Sequence, residues 1–354
     1  MSLSTTLLYD ILSFYEGSDV PLALVFTSPG VRLACEERGM VQVGSWGLCL
    51  ASDGSRRVMW QPSVPILRHR VAGEMCAVVW WCNRPTPAFC EVRPVCLDLS
   101  AACRLYRFDA SVAFLFHSLV ELTLRCATIK DVNLLGRLPA LRKLDLVQAQ
   151  VVDSGIIGLK ESRSLVDVDL WGCAALTNVS PLGKVPTLRR LVLAETHVCD
   201  DGLAGLVDSL CLDEVNLEMC VLVKSVGFFG RLRTLRKLTL VATSVDNKGI
   251  IGLGSSMSLV EIDLWGCSAV DDVNSLGMIP TLRKLHLFGT SVTNEGIRGL
   301  RRSSSLEEID LTLCEAVTEA ETLSKIPTLR HIVLLHTSIH DVSELLLKEV
   351  RVII

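Results

Sequence analysis

Ten segments of the form L-x-x-[LIV]-x-L begin at Leu119, Leu141, Leu165, Leu188, Leu212, Leu235, Leu259, Leu282, Leu306 and Leu329. After the first interval their spacing alternates strictly between 24 and 23 residues, so the true period is 47. No unit of that size can bury an apolar face by itself; copies must stack, each adding one slice to a shared core. The spacing predicts one short strand per unit, parallel to its neighbours. Alternate residues such as Ile262 and Leu264 turn inward, and the residues between them line the exposed face of the sheet.

Two kinds of unit alternate. One carries Cys173, Cys220, Cys267 and Cys314 after the strand, and the other carries Thr196, Thr243, Thr290 and Thr337 in the same slot. A small side chain there packs inside a turn and serves backbone groups, a weak hydrogen-bonding duty that a thiol or a hydroxyl can perform. These cysteines therefore read as a structural ladder rather than as redox or metal groups. Threonine units continue as G-I-x-G-L (Gly155 to Leu159, Gly249 to Leu253, Gly296 to Leu300), which suits a short helix. Cysteine units end at Pro139, Pro186, Pro280 and Pro327, which suits a tighter turn stopped before the next strand.

The strand consensus and its period resemble the leucine-rich repeat. The D-L-W-G-C words at Asp169 to Cys173 and Asp263 to Cys267 are similar to its cysteine-containing subfamily, and the alternation is similar to repeat proteins of kinetoplastid protists. The fold class this implies is α/β: a right-handed leucine-rich repeat solenoid over residues 96–354, with a curved parallel sheet inside and short helices and turns on the convex side. Residues 41–95 lose the period and alternate short apolar runs with turns, as a few strands or an irregular linker would.

Residues 1–40 hold three short helical patterns. The stripe Leu7, Leu8, Ile11, Leu12 and Tyr15 is followed by Asp19 as a helix cap and by Leu22, Val25 and Phe26. Leu7-Leu8, Asp10-Ile11-Leu12, Phe14, Asp19 and Leu22 to Val25 resemble the F-box. The Leu-Pro that commonly opens that motif is absent, and Phe26 to Gly30 replace its basic and tryptophan residues. The resemblance implies a docking face of Leu8, Ile11, Leu12, Phe14, Leu22 and Val25 for the linker subunit of a cullin-type ubiquitin ligase. The other reading is a helical cap that shields the first turn of the solenoid.

Charge narrows the choice of partner. The net charge of −4 lacks the basic surplus that wrapping a phosphate backbone requires, which argues against nucleic acid. The N-terminus has no basic leader and no run approaches a membrane span, so the 14 cysteines read as reduced thiols of an intracellular chain, cytoplasmic or nuclear, and the sequon at Asn178 as incidental. Nucleotide-binding, nucleophile-elbow and zincin motifs are missing, so no enzyme and no cofactor is expected. Cys76, Cys82, Cys90, Cys96 and Cys103 contain no C-x-x-C pair, and His331, His336 and His340 lack partner ligands, so no metal is expected either.

The sheet surface then carries what function there is. The third residue of each unit alternates in sign: Glu121, Lys143, Asp167, Arg190, Glu214, Lys237, Glu261, Lys284, Glu308 and His331. This reads as a cross-strand ladder that fixes stacking register, in preference to a charged docking strip. The seventh residue sits at the strand end. There Val241, Trp265 and Phe288, with His286 beside them, are expected to form one exposed apolar patch, with Trp171 four strands away. Exposed aromatic groups of this kind suit a protein partner bound on the concave face; the alternative is that loops or residues 41–95 cover them. The chain reads as a substrate adaptor or, alternatively, as a scaffold subunit of a large assembly.

Overall fold

A computed structural model describes residues 119–354 apart from Cys126 and Thr128, and the backbone of three earlier segments, 44–50, 56–65 and 96–98. Its strands are β1 (Gly44–Leu50), β2 (Arg56–Pro65), β3 (Cys96–Asp98), β4 (Glu121–Thr123), β5 (Lys143–Asp145), β6 (Asp167–Asp169) and β7 (Arg190–Val192). They continue as β8 (Glu214–Asn216), β9 (Lys237–Thr239), β10 (Glu261–Asp263), β11 (Lys284–His286), β12 (Glu308–Asp310), β13 (His331–Val333) and β14 (Arg351–Ile353). All belong to one sheet in chain order. From β2 onward every neighbouring pair is parallel and in register, as in β10 to β11, where Glu261, Ile262 and Asp263 face Lys284, Leu285 and His286. This is the leucine-rich repeat solenoid that the period implies.

The sheet runs beyond the ten regular units at both ends. Residues 44–65 form an antiparallel pair, β1 on β2, and β2 pairs with β3, so this stretch extends the sheet. At the other end β14 pairs with β13 and closes the last unit.

The core is a column of identical choices. The first, fourth and sixth residues of the unit are buried throughout, as with Leu259, Ile262 and Leu264, all fully inaccessible. Full burial of each such side chain contributes roughly 1.5–3 kcal/mol, so the stack is held by its apolar column. Behind it, threonine units place a four-residue helical turn, Asp200–Leu203, Asn247–Ile250 or Asn294–Ile297, ahead of a 3-10 turn. The units of Cys173, Cys220 and Cys267 carry only a 3-10 turn, such as Ser180–Lys184 or Asn274–Met278, while that of Cys314 carries the helical turn Glu321–Ser324.

Glycine decides how closely these turns approach. A Cβ on Gly296 would lie inside van der Waals contact with the Asp271 carbonyl oxygen and 3.1 Å from the Asp272 Cα. The backbone carbonyl of Gly296 instead accepts a 2.8 Å hydrogen bond from Val273. Side chains finish the interlock. Asp153, Asp200, Asn247 and Asn294 each accept two backbone N–H groups of the next unit, as Asp200 does from Lys224 at 2.8 Å and Ser225 at 3.1 Å.

The alternation of cysteine and threonine has a direct cause. Thr243 Oγ1 donates to the Leu240 carbonyl at 2.8 Å, and Cys267 Sγ of the next unit donates to the same oxygen at 3.1 Å, with the two side chains 3.4 Å apart. Thr196 with Cys220 and Thr290 with Cys314 repeat the arrangement. Burial pushes all four ladder thiols up, Cys173 to about 12, so they stay protonated. The ladder expected from the sequence is thus a pairwise device with a period of two units.

Candidate functional site

The third residues of the units face one another in register, and the sign alternation becomes a chain of ion pairs. Arg190 lies 3.2 Å from Asp167 and 3.5 Å from Glu214; Lys237 meets Glu261 at 2.8 Å and Lys284 meets Glu308 at 2.9 Å. The Glu308 carboxyl is held below its ordinary range by its hydrogen bond to Lys284. These pairs are partly exposed and cancel one another, so the column sets register and leaves little net field.

Two residues further along each strand lies a column the sequence reading left unassigned: Asp145, Asp169, Asn216, Asp263 and Asp310, interleaved with Val192, Thr239, His286 and Val333. Each of these five Asp or Asn side chains accepts the backbone N–H two residues on. Asp263 takes that of Trp265 at 3.0 Å and Asp169 that of Trp171 at 3.0 Å; Asn216 takes that of Glu218 at 2.8 Å. The sheet itself offers that N–H no partner, so a short acceptor closes the strand end. The signal was legible in the unit alignment as D-x-[WTV] or N-x-E. Asp145 is also clasped by Arg125, with one contact of 2.8 Å. Burial, with Asp145 and Asp167 nearby, pushes the Asp169 carboxyl up. The column carries more net negative charge than the first, where five carboxylates face four Lys or Arg and His331.

The chain then turns through a left-handed residue in every regular unit from Leu141 onward: Gln148, Gly172, Glu195, Met219, Ala242, Gly266, Gly289, Leu313 and His336 all have φ between 52° and 71°. This turn lifts the seventh side chain to the rim of the sheet. Trp265 is 50% exposed and meets Phe288 edge-on, their ring centroids 5.0 Å apart. Val241, His286 and Phe288 are only half-buried neighbours of it on the adjoining strands, so the expected patch has one exposed centre with three partly covered flanks. Three other seventh residues, Val147, Ala194 and Thr312, are buried, which shows that the strand end still has core to offer. Trp171 is 40% exposed and separate from the rest; it stands four strand spacings from Trp265, about 19 Å.

Alignment on the cysteine also shows rim residues that pattern reading passed over. Met219, Val221 and Leu222 in the unit of Cys220 are exposed, where the unit of Cys173 has Gly172, Ala174 and Ala175. The Met219 N–H donates to the Val241 carbonyl at 2.7 Å, and the Ala242 N–H to the Trp265 carbonyl at 2.7 Å. The turn that carries Met219, Val221 and Leu222 therefore adjoins that of Val241, which in turn adjoins that of Trp265. At the opposite ends of the strands a cleft of about 470 Å³ is lined by Arg189, Arg233 and Arg236 around Cys211 and Asp213. Its hydroxyls, on Thr234, Ser258 and Thr281, already donate to the carbonyl of the first leucine of the unit each one closes.

The docking residues expected near the N-terminus, Leu8, Ile11, Leu12, Phe14, Leu22 and Val25, lie outside the described residues. So do the side chains of Cys76, Cys82, Cys90, Cys96 and Cys103. Among the described residues no group of three His, Cys, Asp or Glu is placed to hold a metal ion, and no helix is long and apolar enough to cross a membrane.

No family model and no curated protein matches the sequence. Solved structures do. An internalin (inlF) of Listeria monocytogenes str. 4b F2365 is 18% identical over 69% of this chain and 76% of its own, with a TM-score of 0.47. An internalin C2 of the same strain is 15% identical over 72% and 88%, with a TM-score of 0.39. TLR13 in its complex with ssRNA13 is 16% identical over 66% of this chain and 38% of that one, with a TM-score of 0.40. Likeness at this level transfers no function.

Proposed function

We propose that this chain is a non-enzymatic protein-interaction solenoid that holds a partner protein on the strand-end rim of its sheet face, centred on Trp265 with Val241, His286 and Phe288, and reaching to Trp171. The observation that carries the reading is the exposure of Trp265. Its neighbours in the repeat have structural duties: Asp263 closes the strand end, Leu264 fills the core, and Cys267 serves the Leu240 carbonyl. A half-exposed tryptophan packed against Phe288, with further apolar side chains on the adjoining turns, has the composition of a binding centre.

The test is comparative capture. Full-length chain and a Trp265→Ala/Phe288→Ala variant of matched circular dichroism are used as baits in lysate of the source cells. Proteins retained by the first and lost by the second are the expected result; identical retention overturns the reading. The finer reading, a substrate adaptor of a cullin-type ubiquitin ligase, is supported by the F-box resemblance of residues 3–40. An Ile11→Asp/Leu12→Asp chain should then lose the ligase linker subunit while keeping the rim-dependent partner. Recovery of stable-complex subunits without any linker subunit favours the scaffold alternative.

A further inference from the structure

The words Asp169-Leu170-Trp171-Gly172-Cys173 and Asp263-Leu264-Trp265-Gly266-Cys267 are identical, and the structure gives them the same backbone turn, with Trp265 alone packed edge-on against a neighbouring ring among the described residues. In each, the aspartate accepts the tryptophan N–H at 3.0 Å, and the following glycine is left-handed, at φ 69° and 71°. Each tryptophan is at least 40% exposed. The other two cysteine units that share this turn keep the short acceptor and the thiol but carry Glu218 or Thr312 in the tryptophan's place. The turn does not need tryptophan. Something outside the turn accounts for an aromatic ring beside a carboxylate, twice.

We propose that Asp169 with Trp171 and Asp263 with Trp265 are two copies of one cation-binding site, about 19 Å apart, and that the partner is a basic segment whose two arginine or lysine side chains occupy both. This rests on the reading that the sheet face binds a protein. The chemistry is complementary: an aromatic face and a carboxylate together attract a guanidinium or ammonium group. The surface around the sites has the matching sign. The third-residue column nearly cancels internally. The next column presents Asp169, Asp263 and Asp310, Asp145 being buried and paired with Arg125, and Glu218 stands on the rim between the two sites. Asp169, raised by burial and by its carboxylate neighbours, is a group that gains from an arriving cation. An extended chain advances about 3.3 Å per residue, so cations six residues apart span the two sites.

The test uses the full chain with 15N-labelled tryptophan, the two indole signals being assigned from Trp171→Phe and Trp265→Phe. The probes are Gly/Ser peptides carrying two arginines, spaced either six residues or two residues apart. The six-residue peptide is expected to shift both signals along one binding curve, about tenfold tighter than the two-residue peptide, with affinity falling as salt rises. Asp169→Asn and Asp263→Asn keep the turn, as Asn216 shows, and each should reduce the advantage of the wider spacing to near unity. Equal affinity for both peptides, movement of one signal alone, no movement at millimolar peptide, or indifference to both Asn variants would each overturn the proposal. Loss of capture by Trp265→Ala/Phe288→Ala with any of these results would leave the protein-binding reading standing and remove only the cationic partner.

Discussion

Replacing Gly296 by alanine separates local preference from stacking, because the two predict opposite signs. Gly296 lies in the helical turn Asn294–Ile297, where alanine is favoured over glycine by roughly 0.5–1 kcal/mol. The added methyl, however, points at the Asp271 carbonyl and the Asp272 Cα of the preceding unit, both backbone atoms that cannot rotate away. Overpacking of this kind costs about 1–3 kcal/mol, and moving the units apart also weakens the Val273 to Gly296 hydrogen bond, worth about 1 kcal/mol. The net expectation is destabilisation of about 2 kcal/mol. Gly289→Ala is the control: its added methyl meets nothing within 4 Å, and Ala242 already holds the equivalent left-handed position at φ 52°. The left-handed penalty of roughly 1–2 kcal/mol is offset in part by the stiffer unfolded chain, leaving a loss of about 1 kcal/mol or less. Urea unfolding of the full chain followed by circular dichroism reads both. Stabilisation by Gly296→Ala, or equal losses for the two variants, refutes the stacking argument.

Alkali should destabilise the solenoid through its thiols. An unfolded cysteine titrates near about 8.5 and native Cys173 near about 12, so between these values the unfolded chain loses a proton that the native chain keeps. The cysteine contribution is intact below pH about 8.5 and is lost as pH rises; melting temperature should fall steadily above that, and less steeply in Cys173→Ala. Trp265→Ala should cost at most about 1.5 kcal/mol, the edge-on contact with Phe288, whereas Leu264→Ala on the same strand should cost about 2–5 kcal/mol; similar losses in thermal melts would show that Trp265 belongs to the core. Arg190→Gln should cost less than about 1 kcal/mol at low salt and nothing measurable at high salt, because its pairs with Asp167 and Glu214 are exposed enough to be screened.

What pattern could reveal was whatever recurs at every unit. The strands, the inward Leu and Ile column, the alternating charges and the Cys/Thr slot all repeat, and stacking turns each into a ladder in the predicted register. Legibility fell where the cause lies between units. That Gly296 is needed for the approach of Asp271 is invisible in one unit, since a glycine in a helical turn reads there only as a weakness. The Asp263 to Trp265 turn was passed over because an aspartate between two inward residues looks like ordinary strand alternation. The rim around Met219, Val221 and Leu222 shows only as a departure from the small residues its sister units carry at the same turn. For the same reason the patch around Trp265 was expected to be more open than it is: periodicity places Val241 and Phe288 on the face but does not show how far their neighbours cover them.

A repeat supplies its own internal control, because every unit solves the same backbone problem. From Leu165 onward, the cysteine units share a fixed set of duties: an acceptor at the fifth residue, a left-handed eighth residue, and a buried thiol at the ninth. Within that frame the seventh residue is Trp171, Glu218, Trp265 or Thr312, side chains that differ in size, charge and polarity. Three different side chains over four units of one backbone turn mean that the backbone does not choose among them. The same comparison acquits the third-residue charges, because there each unit presents the sign that its neighbours' pairing requires. The seventh residue is therefore the position at which these units are free to be specialised. Exchanging Trp171 and Glu218 between their units is the sharpest use of that freedom: the exchange should leave stability within about 1 kcal/mol and abolish the preference for the six-residue spacing, because the tryptophan then follows Asn216, which has no carboxylate. Adding Asn216→Asp should restore a site two strands nearer to Trp265, so that peptides with arginines three residues apart become the preferred ligand.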